Sequence, residues 1–377
     1  MAVPLFDIRP QNQALAAELQ AAFHRVLASG QFILGPEVQN FERQCADYLG
    51  VKHALGISSG TDAILLALMA LDIGPGDEVI CPSFTFFATA GCVARTGAKP
   101  VFCDVRADSF NLDVADAARR ITPRTKAIMP VHLYGQAADM AAVNELARKH
   151  GLKVIEDAAQ AVGATQAGRR LGSLGEFGAF SFFPTKNLGA FGDAGLLTTN
   201  DDSLARQATL LRNHGAHPKY CHQFIGGNFR LDAVQAALLA VKLPLLDGYA
   251  QRRGVNAARY TEHFATLPGI GSRLVLPTAQ PGNGHTWNQY TVRLPGAGRR
   301  DALRDWLNAR QIGTEIYYPV PLHAQACFAS LGQTDADLPV SARLAGEVLS
   351  LPIFPELTTA QQDEVIAAVS EFLHGGK

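Results

Sequence analysis

Lys186 lies in the segment SFFPTKNLG, residues 181–189, close to the end of an apolar run. Its neighbours are aromatic, small or proline. Desolvation disfavours an ammonium, so a lysine held in such surroundings loses basicity unless it is covalently engaged. A partly buried lysine of lowered basicity can form an imine with a carbonyl. A solvated loop lysine has the same local sequence, so the chemistry needs partners.

Three segments offer them. In VIEDAAQAVG, residues 154–163, an apolar run ends in Glu156 and Asp157. Ligands of open α/β sheets sit outside the carboxyl ends of the strands. A carboxylate there can hold a protonated ring nitrogen, as the pyridinium of pyridoxal phosphate requires. Capping of a helix by Asp157 is the simpler use of the same residue. In SSGTDA, residues 58–63, the backbone N–H groups of Gly60 and Thr61 and the Thr61 hydroxyl open a helix, where an anion would bind. An ordinary Ser/Thr cap reads the same. In PSFTFFATA, residues 82–90, Phe84, Phe86 and Phe87 are core candidates, one of which could stack on a flat ring.

The elements that position these groups follow from the hydropathy pattern. Short apolar runs at 52–57, 78–81, 99–103, 126–131 and 152–156 alternate with amphipathic segments at 61–71, 86–96, 112–120 and 139–150. That alternation predicts a largely parallel sheet with helices on both faces. GAFSF at 178–182 and GLLTT at 195–199 have no helix between them and should pair as a hairpin, giving about seven strands in a mixed, mostly parallel sheet. Helices are expected at 13–29, 36–49, 201–213 and 231–266, the last broken at Pro244. Beyond about residue 269, strands YTVRL, TEIYY and VLSLPIF with helices near 299–310 and 358–373 describe a smaller α+β unit. The expected division is residues 1–245, a large α/β unit, and 246–377, a small C-terminal one.

Composition narrows the function. The chain has 377 residues, 47% of them hydrophobic and 18% charged, enough apolar mass for a sizeable core. Lys and Arg total 33 against 34 Asp and Glu, so no basic excess points to nucleic acid and no charge run to a membrane surface. The cysteines, Cys45, Cys81, Cys92, Cys103, Cys221 and Cys327, form no CxxC pair, so neither disulfides nor a structural zinc site is expected. MAVPLFDIRPQNQ lacks the pattern of a signal peptide, and no stretch of about 18 uninterrupted apolar residues occurs. A reducing cytoplasm is the expected location.

Taken in order, SGTDA, PSFTFFATA, EDAAQA, SFFPTKNLG, GDAG and GGNFRLDAVQAA resemble the sugar aminotransferases of the DegT/DnrJ/EryC1/StrS family, from SGQFILGPEV at 29–38 to the C-terminal helix. The resemblance implies the fold-type I pyridoxal phosphate architecture, with that cofactor carried as an imine on Lys186, which then serves as general acid and base. It implies Asp157 on the pyridine nitrogen, Gln160 on the phenolic oxygen, and Gly60, Thr61 and Ser181 on the phosphate. Phe86 takes the place of the ring-stacking aromatic. Asn228 would reach the neighbouring subunit's phosphate, making the active site a property of a homodimer, with Arg230 at the same interface. L-Glutamate would give nitrogen and a nucleotide-linked keto sugar, dTDP or UDP, would receive it, in ping-pong fashion.

The block SFFPTKNLGAFGDAG, with GPEV, ITPRTKAI, LYGQ and YYPVPLH, is similar to the branch acting on 3-keto sugars; the 4-position branch often carries SFH…K…TTGEGG. Tyr317, Tyr318 and His323 are candidate substrate contacts, with domain packing as the alternative. Ala194 in GDAG departs from the commoner GDGG, a conservative change. In RNHGAHPKYCHQ, residues 212–223, the spacing of His214, His217 and His222 matches no standard metal site. Arg212 and Lys219 there suit an anionic diphosphate across a subunit interface. Competing readings are 4-position amination, a dehydratase (whose relatives replace the lysine by histidine), a non-catalytic sensor of the cofactor or an amino sugar, and a nicotinamide oxidoreductase, for which no GxGxxG follows the first strand.

Overall fold

The computed structural model describes residues 3–375. Its main sheet has seven strands, β1 (His53–Ile57), β2 (Glu78–Pro82), β3 (Lys99–Cys103), β4 (Thr125–Ile128), β5 (Lys153–Asp157), β8 (Phe177–Ser181) and β9 (Gly195–Thr199). Between β5 and β8 run the two-residue strands β6 (Thr165–Gln166) and β7 (Arg169–Arg170), paired with β10 (Asn283–Gly284) in a side sheet. The order across the main sheet is β1-β9-β8-β5-β4-β2-β3. β9 runs antiparallel to both neighbours, and the β8–β9 hairpin expected from the sequence is present, Ser181 opposite Gly195. The pairs β8–β5, β5–β4, β4–β2 and β2–β3 are parallel, as the crossover helices require.

Strand side chains alternate between the two faces. In β2, Val79 and Cys81 join the core around the helix Gly60–Ala70, whereas Ile80 joins the core under the helix Met140–His150. Gly60–Ala70 is apolar on nearly all sides because helices cover it on the side away from the sheet. Its start is set by Ser59, whose hydroxyl accepts the Asp62 N–H; Asp139 and Asp201 cap Met140–His150 and Asp202–Arg212 in the same way. The first helical stretch is broken at Leu15 into Arg9–Ala14 and Ala16–Ser29.

As Pro244 predicts, a 3-10 turn at Leu243–Leu245 separates the helices Ala233–Lys242 and Leu246–Ala265. The stretch Ala233–Ala265 is long and apolar enough to cross a bilayer, but this turn interrupts it and half of its most apolar window is buried inside the fold.

The C-terminal region packs β11 (Tyr290–Arg293) antiparallel to β12 (Val348–Leu351) against the helices Leu246–Ala265, Arg299–Asn308 and Thr359–His374. Val3 bridges to Ile312 and Phe6 stacks edge-on against Phe354, so the start of the chain belongs to this C-terminal core. TEIYY, expected as a strand, makes only a bridge from Glu315 to Ser350. Ile316, Tyr317 and Tyr318 leave the sheet edge because their side chains pack with Phe84, Phe110 and Tyr134 instead. No disulfide forms: Cys45, Cys81, Cys92 and Cys103 are buried thiols, and Cys221 and Cys327 are exposed ones.

Candidate active site

The residues singled out from the sequence converge at the carboxyl ends of β1, β2, β5 and β8. Asp157 is the last residue of β5, and Glu156 precedes it on the opposite face. Alternation therefore gives the two carboxylates different work. Glu156, fully buried, accepts hydrogen bonds from the Gly172, Leu174 and Gly175 N–H groups and from His132 Nε2 at 3.0 Å. His132 Nδ1 accepts the Ala138 N–H, so the ring proton lies on Nε2, facing Glu156. Glu156 is thereby saturated and ties a turn to the sheet.

Asp157 looks the other way. Its Oδ2 accepts the Thr89 hydroxyl at 2.8 Å and its Oδ1 the Ala159 N–H at 3.2 Å. Burial pushes its carboxyl above the usual range, opposed by the Thr89 and Ala159 bonds and by the positive field of Lys186. Lys186 follows β8 in a tight loop, its N–H donating to the Phe183 carbonyl at 2.8 Å. Its stem is half-buried and its amine enclosed; desolvation pushes the amine down to about 8, with Asp157 pulling it back up. The two groups thus share one low-dielectric field.

Gly60 opens its helix against β8. A Cβ there would stand 2.7 Å from Ser181 Cβ, and one on Gly195 would stand 2.5 Å from the Ser59 carbonyl, so glycine at both places lets helix end and strands close into a cradle. Ser59 satisfies the Asp62 and Ala63 N–H groups, whereas those of Gly60 and Thr61 find no partner among the described residues. Two free donors at a helix N-terminus, with the Ser181 hydroxyl beside them, are the donor set a phosphate requires.

The aromatic wall is Phe86, 56% exposed, with Tyr318 at 6.0 Å and a tilt of 43°. Tyr318 also meets Phe84 edge-on at 6.3 Å. Gln160 is held by both halves of the chain: its Oε1 accepts the Tyr134 N–H at 2.8 Å and its Nε2 donates to the Tyr318 hydroxyl at 3.0 Å. Tyr317 packs beside them.

Three expected residues are held by other contacts within the chain. His323 is buried with both ring nitrogens engaged, Nδ1 with the Ser83 hydroxyl at 2.6 Å and Nε2 with Asp335 at 2.9 Å, so it presents nothing to a substrate and instead straps YYPVPLH to the end of β2. Asn228 is exposed, and its backbone bridges to Asn213. Arg230 bridges to Ile57, and its Nη1 donates to Asn213 Oδ1 at 2.8 Å. In the histidine-containing loop, His222 Nδ1 bonds the His214 carbonyl at 2.9 Å, and no group of three or more metal-binding side chains occurs among the described residues. Thr89 and His132 were not singled out from the sequence. Thr89 stands in PSFTFFATA, one helical turn past Phe86, which was the available signal.

A mostly parallel sheet with a lysine and a carboxylate sharing a buried field, beside a helix-end anion cradle and an aromatic wall, defines a pyridoxal phosphate-dependent enzyme. The described residues fit that cofactor: the cradle offers donors to a phosphate, and each Asp157 oxygen accepts a single hydrogen bond, which leaves the carboxyl acceptor capacity for a ring N–H. The DegT/DnrJ/EryC1/StrS aminotransferase family model matches residues 13–370, and the chain belongs to that family. It is an aminotransferase, and its cofactor is pyridoxal phosphate.

It is 48% identical to a pleiotropic regulatory protein of Geobacillus stearothermophilus, over 99% of either chain. It is 47% identical to the dTDP-3-amino-3,4,6-trideoxy-alpha-D-glucose transaminase of Streptomyces venezuelae, over 98% of this chain and 96% of that one. The solved structure of S. venezuelae DesV in complex with a ketimine intermediate superposes with a TM-score of 0.94 at 46% identity, over 99% and 98% of the two chains.

Proposed function

We propose that this chain transfers an amino group from L-glutamate to the 3-keto group of a nucleotide-linked sugar, as a cytoplasmic homodimer. The pairing in one buried field of Lys186, on the loop after β8, with Asp157, at the end of the adjacent strand β5, carries the reading. Relatives named for a 3-amino dTDP sugar and for 3-dehydro and 3-oxo UDP sugars support the 3-position over the 4-position. SFFPTKNLGAFGDAG supports the same choice.

When bound, pyridoxal phosphate supplies a carbonyl that exchanges amines and a protonated ring that takes up the electron pair of a breaking C–H bond. The protein does the rest. Asp157, oriented by Thr89 and Ala159, is the counter-charge that keeps a ring nitrogen protonated. With its amine near 8, Lys186 is partly neutral close to neutrality, so Nζ can attack a carbonyl and later take and return a proton. The Gly60 and Thr61 N–H groups and the Ser181 hydroxyl would hold the phosphate. Phe86 would cover the ring, and Gln160, with Oε1 and one amide hydrogen already engaged, would hold the phenolic oxygen. Tyr317 and Tyr318 line the substrate side.

Exposed apolar side chains support a homodimer: Phe32, Ile33, Phe183, Phe191, Phe224 and Ile225. Asn228 and Arg230 lie on the segment that would face the partner. Phe224 and Ile225 follow the exposed loop bearing Lys219, whereas Arg212, expected to suit a diphosphate, ends the helix Asp202–Arg212 and is buried on Glu42 and the Gly56 carbonyl.

The regulatory name of the Geobacillus relative favours a second reading, a sensor that binds without turnover. Intact Lys186 and Asp157 favour catalysis. Borohydride should fix the cofactor to Lys186, L-glutamate should yield 2-oxoglutarate, and NMR of the sugar product should show nitrogen on carbon 3. Nitrogen on carbon 4, or no turnover with any nucleotide keto sugar, would overturn the proposal.

A further inference from the structure

Lys242 ends the helix Ala233–Lys242 and is only 1% exposed. A buried ammonium ordinarily has a carboxylate beside it. Among the described residues Lys242 has none within salt-bridge distance. Its Nζ donates to the Gly189 carbonyl at 3.0 Å and sits 4.6 Å from the Phe191 ring centre. Both contacts fall on the return arm of the loop that bears Lys186. Seven residues earlier, two turns along the same helix face, Gln235 grips that arm again: its Oε1 accepts the Phe191 N–H at 2.8 Å and its Nε2 donates to the Phe191 carbonyl at 3.1 Å.

The arm has little freedom to answer these bonds by moving. A Cβ on Gly189 would stand 2.3 Å from the Pro184 carbonyl oxygen, so the outgoing and returning strands of the loop are in backbone contact. Ala190 N–H closes the loop on the Phe182 carbonyl at 2.8 Å, and Lys186 N–H on the Phe183 carbonyl at 2.8 Å. Pulling Gly189 towards the helix therefore sets where the Lys186 backbone stands. Holding a cation in that place is costly: burial pushes the Lys242 amine down to about 8, with Glu356 the one charge opposing the shift.

We propose that Lys242 is a positioning residue for Lys186: with Gln235, it holds the Gly189–Phe191 arm so that the reactive amine is presented to the cofactor carbonyl. This rests on reading Lys186 as the imine-forming lysine. A merely structural lysine would lower stability without changing the loop or the imine.

The test compares the full-length wild type with K242M, which keeps length and apolar bulk but loses the donor, and K242Q, which keeps an N–H donor without charge. With cofactor removed, hydrogen exchange at the Lys186 and Ala190 amides should quicken about tenfold or more in K242M, with β9 amides unchanged. With cofactor added, the imine absorbance should form more slowly and at a higher cofactor concentration, and the glutamate half-reaction should lose rate at saturation rather than affinity. K242Q should recover part of each. If K242M does not fold, Q235L, which frees Phe191, should give the same changes in smaller measure. Wild-type exchange and imine formation in K242M, or in Q235L where it stands in, overturn the inference. No imine in the wild type overturns the reading of Lys186 instead.

Discussion

Thr89 donates its hydroxyl hydrogen to Asp157 Oδ2 at 2.8 Å, across 68 residues of chain and from a different strand crossover. That bond favours the ionised carboxylate against the burial that opposes it. Removing it in T89V should raise the Asp157 carboxyl further. A hydrogen bond to a charged group contributes about 1.5–3 kcal/mol, so cofactor affinity should fall about tenfold or more. The acid limb of cofactor binding should move to higher pH. An unchanged pH profile by absorbance titration would show that Thr89 does not set the charge of Asp157.

Replacing the carboxylate itself separates charge from shape. D157N keeps the size and a carbonyl acceptor but cannot pair with a cationic ring nitrogen. Turnover should drop by about 10²–10³, in the range found for loss of one oriented electrostatic partner. Cofactor should still be retained through the phosphate cradle. Kinetics at saturating cofactor check this, and wild-type kcat in D157N would exclude Asp157 as the counter-charge.

Gly60 is a packing requirement before it is a binding residue. In G60A the new Cβ must move Ser181, displacing the helix end from β8. Overpacking of this kind costs about 1–3 kcal/mol. The Gly60 and Thr61 donors would shift with it, so affinity should fall for pyridoxal phosphate far more than for pyridoxal, which has no phosphate. Equal losses for the two ligands would place the anion site elsewhere.

The buried amine of Lys186 predicts a pH dependence of the cofactor-free protein. Its folded value is about 8 and its ordinary value 10.5. Between these the unfolded chain binds more protons, so stability rises as pH increases, and the gain is lost as pH falls through about 8. Lys242 is shifted in the same direction, so the difference between wild type and K186M isolates the contribution. The stability of K186M should exceed that of wild type most below pH 8 and converge with it near 10.5, by thermal melts. Parallel melting curves across that range would mean the amine is solvated.

Ser83 and His323 make a strap with both partners buried. S83A should leave His323 Nδ1 without its partner, at about 1–3 kcal/mol. Because the strap carries Tyr317 and Tyr318, KM for the sugar should rise while the glutamate half-reaction stays near wild type. A loss confined to the glutamate half-reaction would contradict that assignment.

Alternation of short apolar runs and amphipathic segments determined the sheet and its crossover helices, because strand and helix periods are local properties of the chain. The same locality made Lys186, the SSGTDA helix start and the β8–β9 hairpin legible, since each depends on residues a few positions apart. Glu156 and Asp157 could not be told apart in that way: adjacent in sequence, they face opposite sides of β5, and only the packing on each side separates an anchor from a reactive carboxylate. Thr89, His132 and Lys242 find their partners far along the chain, and His323 and Ser83 are 240 residues apart. TEIYY has strand composition, yet burial of its aromatic rings against Phe84 and Tyr134 outweighed strand pairing. Long-range contacts decide where a polar group is desolvated and what it touches there, and in this protein that choice made the site.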